Sequence, residues 1–292
     1  MEVATLMSGI FTDEPLVSVI IATRNESANI ERIIKSLTSQ TYSNIEIIVV
    51  DNGSSDNTQE LARKFLSRDN VLHLPDYVDL SNVKNFRGAQ VNFGVYKSNG
   101  KIIFFPDADM TFDNNLIEEA VSKTQKYDAL YIPEIVIGKG FFGKIRNFER
   151  SFYNSTCIDA VRFVTRRYYE LVDGFDEKNI AFSTDDWDLT KMLKQSGALV
   201  SITKSVKYHH EESLSFSSYL IKKIGYIDTF SDYISKWGAD DEDVVRQFSV
   251  KYRYFTVFVE DGKWRRLISR MDLAIGVYII RIMLGLKYLL NR

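Results

Sequence analysis

Leu16-Val-Ser-Val-Ile-Ile-Ala22 is a nearly continuous, largely β-branched run that ends in the polar cluster Thr23-Arg-Asn-Glu26. Such a run is expected of a strand buried on both faces of a sheet. Ser27 then reads as a helix N-cap, with Ile30, Ile33, Ile34 and Leu37 following at helical spacing. Ile45-Glu-Ile-Ile-Val-Val50 repeats the strand signal, Asn52-Gly53-Ser54-Ser55 reads as a turn, and Leu61, Ala62, Phe65 and Leu66 mark a second helix. Val71-Leu-His-Leu74 and residues 101–105 are further strands, and residues 88–98 and 116–127 further helices. This alternation predicts an α/β fold with a mainly parallel central sheet flanked by helices. In such sheets ligands bind at the carboxyl ends of the strands. The polar clusters at 23–26, 51–56 and 107–109 all fall on that rim.

The bulk properties are those of a folded protein. The chain has 292 residues, 45% hydrophobic and 26% charged, and a formal net charge of −2, which gives no basic footprint for nucleic acid. Cys157 is the single cysteine, so no intrachain disulfide forms, in keeping with a reducing compartment. The first residues lack the basic start and apolar core of a secretory signal, and a cytoplasmic location is expected. Three segments are expected: an N-terminal arm at 1–14, a catalytic domain at 15–210 and a mostly helical extension at 211–292.

Asp107-Ala-Asp109 directly follows the apolar run Lys101-Ile-Ile-Phe-Phe-Pro106. Carboxylates two residues apart at a strand end point the same way. Two such acids side by side suit a hard divalent cation and a phosphate. A calcium loop of the EF-hand type is disfavoured, because Phe112 stands where that loop needs glycine. Thr23-Arg-Asn-Glu26 and Asp51-Asn-Gly-Ser-Ser-Asp56 offer hydrogen-bonding groups for a nucleobase or ribose, although Asn52-Gly53 also reads as a plain turn and Ser55 or Asp56 as a helix cap. In Thr184-Asp-Asp-Trp-Asp188, acids in a first helical turn are favoured by the helix dipole. Three carboxylates in four residues exceed what capping needs and suit a general base. His209-His210 follows the expected strand at 206–208, and either ring is a candidate extra metal ligand.

Taken in order, Ser18-Val-Ile-Ile-Ala-Thr-Arg-Asn-Glu26, Val49-Val-Asp-Asn-Gly-Ser-Ser-Asp56, the 88–94 stretch with Asn92, Phe105-Pro-Asp-Ala-Asp109, Gly174-Phe-Asp176 and Asp185-Asp-Trp-Asp188 resemble the family 2 glycosyltransferases of the GT-A fold. The resemblance covers roughly residues 15–215. It implies transfer of a sugar from a nucleotide-sugar donor, with Mg²⁺ or Mn²⁺ and inversion at the anomeric carbon. By that resemblance Thr23 and Glu26 line the nucleoside pocket and Asp51 contacts the base. Asn25, Ser54, Arg87, Asn92 and Asp185 join them as substrate-binding candidates. Asp107 and Asp109 hold ribose and metal–diphosphate, Asp186 is the base, and His209 or His210 is the late metal ligand. Two departures stand out: Asp185 occupies a position more often Glu, and Val91 replaces a common basic residue before Asn92. No Gln-x-x-Arg-Trp motif is present, which points to addition of a single sugar. A UDP-sugar is the favoured donor, and a hydroxyl of a lipid-linked or cell-surface glycan the acceptor.

Within the extension, Arg266, Arg270 and Arg281 fall within about 60° of one another on a helical wheel at ~100° per residue. The apolar run at 273–280 is too short to span a bilayer. The expectation is an amphipathic helix over 264–292 on the inner face of the cell membrane or against a second copy in a homodimer, with packing on its own domain as the alternative. Other functions remain open: transfer directly onto polyprenyl phosphate, a catalytically silent nucleotide-sugar-binding protein, and a nucleotidyltransferase. The last normally carries a Gly-rich basic loop after the first strand, and Thr23-Arg-Asn-Glu26 is not one.

Overall fold

The computed structural model describes residues 14–226 and 229–290, with side chains to residue 286. The N-terminal arm expected over 1–14 lies, except for its last residue, outside the described residues. The strands are β1 (Val17–Thr23), β2 (Ile45–Asp51), β3 (Val71–His73), β4 (Ile102–Phe104), β5 (Met110–Phe112), β6 (Ala129–Tyr131), β7 (Glu134–Ile137), β8 (Val161–Thr165), β9 (Val200–Ile202) and β10 (Lys207–His210). Around them pack α1 (Ile30–Thr38), α2 (Thr58–Ala62), α3 (Phe86–Lys97), α4 (Leu116–Thr124), α5 (Gly140–Arg150), α6 (Arg166–Leu171) and α7 (Asp185–Gln195). Beyond β10 the chain is helical: α8 (Phe216–Gly225), α9 (Phe230–Trp237), α10 (Glu242–Phe248), a π-helical turn at Tyr252–Thr256, α11 (Val257–Val259), α12 (Trp264–Ser269) and α13 (Met271–Leu290).

Seven strands form the main sheet in the order β3-β2-β1-β4-β8-β6-β9. The four strands from β3 to β4 run parallel, whereas β8 is antiparallel to both of its neighbours. The predicted mainly parallel sheet is thus present, with one reversed strand that the sequence pattern did not mark. A smaller sheet, β5-β10-β7, lies across the site end.

Helices cover both faces. Ile30, Ile33, Ile34 and Leu37 of α1 are buried with Val17, Val19 and Ile21 of β1, as their spacing predicts. Ile20 and Val50, pointing the other way, pack beneath α3. Helix α1 starts at Ile30 and not at Ser27, because the Glu26 carbonyl first accepts from the amides of Asn29 and Ile30 and the Ser27 amide goes to Asp56 Oδ2 at 3.1 Å. Close approach of α3 to the sheet depends on Gly94. A Cβ there would press into Ile20 Cγ2 and stand 3.1 Å from Val50 Cγ2. Overpacking of that kind costs about 1–3 kcal/mol, more than the roughly 0.5–1 kcal/mol an alanine gains in a helix. Gly94→Ala is therefore expected to lower the melting temperature, as a denaturation scan would show.

The helical extension is joined to the α/β domain by a common core. Ile145 and Phe152, in and after α5, bury against Phe258 of α11 and against Leu273, Val277 and Ile280 of α13. The expectation of one basic face at Arg266, Arg270 and Arg281 is corrected here. Backbone angles of φ −140° and ψ 62° at Arg270 break the helix and change its phase. Arg281 turns inward, buried, with Nη2 2.9 Å from Glu149 Oε1. Arg266 donates to the Ser151 carbonyl and Arg270 pairs with exposed Asp272. Beyond Asp272, the described side chains that α13 shows to solvent are apolar: Ile275, Ile279, Ile282, Met283 and Leu286, with Met271 exposed at its start. Among the described residues no helix is long and apolar enough to cross a membrane.

Candidate active site

Where the parallel strands end, an open cleft of about 1930 Å³ runs across the top of the sheet. Thr23, Glu26, Arg87, Asp107, Asp109, Asp185, Asp186 and His209 all line it. Each is placed by a local element. Thr23 closes β1. The β1–β4 pairing continues as a parallel bridge between Ala22 and Asp107, which carries Asp107-Ala-Asp109 onto the rim. Asp109 immediately precedes β5, and its carbonyl accepts from the His210 amide at 2.9 Å across the β5–β10 pair.

Alternation along β10 then separates the two histidines. His209 faces the cleft, with Nε2 3.0 Å from Asp109 Oδ2 and Nδ1 3.1 Å from Glu134 Oε1. His210 points away, to Thr111 Oγ1 at 2.9 Å and Glu212 at 3.1 Å, so it does not reach Asp109. Burial disfavours a charged His209, but hydrogen bonds and charge from Asp109 and Glu134 outweigh it and hold the imidazolium up to about 10. Glu134 is buried and would be raised by burial alone, yet Arg150, Lys207 and His209 hold it well below the usual carboxylate range.

The carboxylates on the opposite wall are bridged by two arginines. Arg87, in the first turn of α3, places Nη2 2.9 Å from Asp107 Oδ1 and Nη1 3.0 Å from Asp186 Oδ1 and 3.3 Å from Asp185 Oδ2. Arg162 of β8 reaches the same pair, with Nη2 3.2 Å from Asp107 Oδ2 and Nη1 2.7 Å from Asp186 Oδ1. Its carbonyl accepts from the Phe105 amide, which sets it beside the Asp107 turn. Burial opposes ionisation of Asp107, but Arg162 and Arg87 keep it far below its ordinary range. Asp185 goes the other way, raised by burial and by the neighbouring Asp186 charge. Glu26 is likewise raised by burial, against a hydrogen bond from Asn29, with Asp109 and Asp107 adding repulsion.

A divalent ion would find a partial donor set here. Asp109 Oδ1 is buried without a hydrogen-bond partner, while its other oxygen meets His209. Among the described residues no group of three His, Cys, Asp or Glu side chains is arranged to hold a metal unaided. Mg²⁺ commonly takes few protein ligands and completes its shell from substrate phosphates and water. The unpartnered Asp109 oxygen fits that pattern, and the His209 ring would join it on giving up its Nε2 proton.

The Glycosyl transferase family 2 profile matches residues 18–191, more than half of the chain, and it spans the clusters at 23–26, 51–56, 107–109 and 185–186 but not His209. The chain belongs to that family. Among relatives, it is 38% identical to the glycosyltransferase AglE of Haloferax volcanii over 110 residues, which is 37% of this chain and 35% of AglE. It is 32% identical to the glycosyltransferase GlyG of Streptococcus pneumoniae over 126 residues, 42% of this chain and 38% of GlyG. The matched stretch thus spans a little over a third of those relatives' own length. Among solved structures, the mannosyltransferase PcManGT from Pyrobaculum calidifontis, in complex with GDP-Man and Mn²⁺, aligns with a TM-score of 0.58 at 17% identity, covering 96% of this chain and 89% of that one. TarS 1–349 of S. aureus in complex with UDP-GlcNAc aligns at 0.52 and 17%, covering 90% and 81%. These likenesses give the fold, which is the GT-A fold.

Several expected ligands in this family 2 chain, Asn25, Asp51, Ser54 and Asn92, do not line the cleft. Asp51 is fully buried, accepting from Thr23 Oγ1 at 3.0 Å, Gln59 Nε2 at 2.8 Å and both the amide and hydroxyl of Ser54. Asn25, at φ +59°, accepts from the Ser55 amide and donates its own amide to Ser54 Oγ, locking the first two rim loops together. Asn92 is spent on Tyr169 of α6 and on the 174–177 loop: it accepts from Tyr169 Oη and the Phe175 amide and donates to the Phe175 carbonyl and Glu177. The expectation of Asn92 as a direct substrate contact therefore gives way to a loop anchor. Arg162, Glu134 and Lys207 were missed. Arg162 and Glu134 are each a single charge within an apolar run, which was the available signal, whereas Lys207 lies in the polar stretch 204–211 and gives none.

Proposed function

We propose that this protein is an inverting glycosyltransferase that moves one sugar from a nucleotide-diphosphate sugar, a UDP-sugar in the favoured case, to a hydroxyl of a lipid-linked or cell-surface glycan. The observation that carries the reading is the meeting, in one cleft, of Asp109 beside His209 with Asp186 beside Arg87 and Arg162. Thr23 and Glu26 bind the nucleoside end of the donor, and Asp107 holds the ribose–diphosphate turn. Asp109 and a deprotonated His209 would hold Mg²⁺ or Mn²⁺, whose charge would stabilise the leaving nucleoside diphosphate. Asp186 takes the proton from the acceptor hydroxyl as that oxygen attacks from the face opposite the leaving group. Arg87 and Arg162 fix the Asp186 carboxylate and balance its charge. A catalytically silent protein would have no need to keep Asp107, Asp109 and Asp186 around one cleft.

A thermal-shift panel of UDP-, GDP- and dTDP-sugars, each with and without Mn²⁺, tests the donor site by linkage. One donor class is expected to raise the melting temperature in a metal-dependent way, and Asp109→Ala is expected to abolish that rise. Stabilisation that is independent of Mn²⁺ and unchanged in Asp109→Ala would sink the metal–diphosphate assignment.

The apolar outer face of α13 suits peripheral contact with a membrane surface, where a lipid-linked acceptor resides. Flotation with anionic liposomes is expected to carry the wild-type chain upward and to leave Ile275→Glu/Ile279→Glu behind. Equal flotation of the two would count against the contact.

A further inference from the structure

The cleft does not stop at Asp186. It continues past Trp187 to a second wall made by α5, α8, the 252–256 turn and α13. Five cations line that end, Arg146, Lys222, Lys223, Arg253 and Arg281, against two carboxylates, Glu149 and Glu211. Those carboxylates are already committed. Arg146 holds Glu149 at 2.8 Å and Glu211 at 3.2 Å, and Arg281 holds Glu149 at 2.9 Å. Among the described residues, Lys223 and Arg253 make no ion pair with any carboxylate. Their charges rest on aromatic faces instead: Lys223 lies 5.3 Å from the Tyr226 ring centre and Arg253 5.8 Å from that of Trp187.

Two half-buried cations in one wall, with no carboxylate paired to either, are unfavourable unless a ligand supplies the countercharge. A guanidinium fork beside an ammonium is a donor set suited to a phosphate. Ile282, Leu284 and Leu286 line the same end of the cleft, so the ligand meets apolar surface next to its charge. Ile282 and Leu286 also belong to the exposed face of α13.

We infer that Lys223 and Arg253 form an acceptor subsite for a phosphate ester, which anchors the acceptor with its hydroxyl directed toward Asp186. The inference rests on the glycosyltransferase reading above and specifies its acceptor as a phosphorylated one. In support, burial pushes the Lys223 ammonium down to about 7, with Arg146 and Arg253 repelling it further, so a dianion in this wall restores a full charge.

The test uses the full chain and two phosphate sources. One arm measures binding of a hexose 1-phosphate by Trp fluorescence. The other measures co-sedimentation with neutral phosphatidylcholine vesicles, with and without a long-chain polyprenyl phosphate. Binding is expected in at least one arm, weakened at least about tenfold in Lys223→Gln and in Arg253→Gln and largely retained in Lys223→Arg. The lipid arm alone responding identifies a membrane-borne phosphate, and the soluble arm responding identifies a soluble ester. No phosphate-dependent binding in either arm, or binding unchanged in both Gln variants, overturns the subsite. The Mn²⁺-dependent donor shift, measured on the same variants, should stay at its wild-type value. Its loss in them would assign the two cations to the donor diphosphate and overturn the acceptor subsite. Absence of that shift in the wild type would remove the donor reading alone.

Discussion

Asp186→Asn is expected to reduce sugar transfer by roughly 10²–10⁴-fold, the usual contribution of a positioned general base, while the metal-dependent donor shift survives. Asp186 half-opens onto the cleft at the start of α7 and is bound by Arg87 at 3.0 Å and Arg162 at 2.7 Å. The amide keeps the side-chain shape and one acceptor oxygen for those arginines, and Asp107 still engages both. What it loses is the capacity to take a proton. Single-turnover transfer measured beside donor binding separates the two effects. If donor binding fell in parallel with transfer, Asp186 would be acting through the arginines on the donor and not as a base.

The largest stability effect is expected at Glu149. Its carboxylate, 4% exposed, accepts from Arg146 Nη1 at 2.8 Å, Tyr153 Oη at 2.8 Å and Arg281 Nε at 3.0 Å. Removing one partner of a buried ion pair leaves the other uncompensated, at a cost of about 3–5 kcal/mol. Glu149→Ala leaves Arg281 without a carboxylate and Arg146 with Glu211 alone, in a wall that already holds Lys223 and Arg253. Denaturant unfolding should show the loss, and Glu149→Gln should show much of it too, because the charge and not the shape is removed. The same group gives a pH signature. Burial raises the Glu149 carboxyl, but Arg281 and Arg146 prevail and lower it from 4.5 to about 2. A depressed folded-state value contributes stability above about pH 4.5, and that contribution, ~3 kcal/mol, is lost as pH falls toward about 2. Wild-type unfolding should therefore steepen over that window, and the Gln variant should be flatter across it.

The rim of the candidate site was legible because strand ends are local features. Val19 to Ile21 announce β1, Ile48 to Val50 announce β2, and the polar residues after each run must lie on one edge of a parallel sheet. The opposing wall was not legible in the same way. Arg162 reaches Asp107 only because β8 inserts antiparallel beside β4, a register fixed by contacts some sixty residues apart. The stacking of Phe104 on Phe163, with ring centres 4.1 Å apart, is part of what fixes it. Neither strand exceeds five residues, too few for a period to declare itself. The histidine pair shows a middle case. Alternation requires that His209 and His210 diverge, but only the pairing of β10 with β5 and β7 decides which one faces Asp109. Arg281 failed for a different reason. A helical wheel assumes one unbroken axis from 266 to 281, and the break at Arg270 voids that assumption.

Because Ile145 of α5 and Val277 of α13 share one core, and Arg281 is clamped to Glu149, the last helix cannot swing on a tether. Gly276 lets that contact close, since a Cβ there would collide with Ile145. Whatever surface meets the outer side of α13 therefore fixes the heading of the whole molecule. The distance from that surface to Asp186 becomes a constant of the architecture, so the depth at which an acceptor hydroxyl can be served is set like a stop on a gauge.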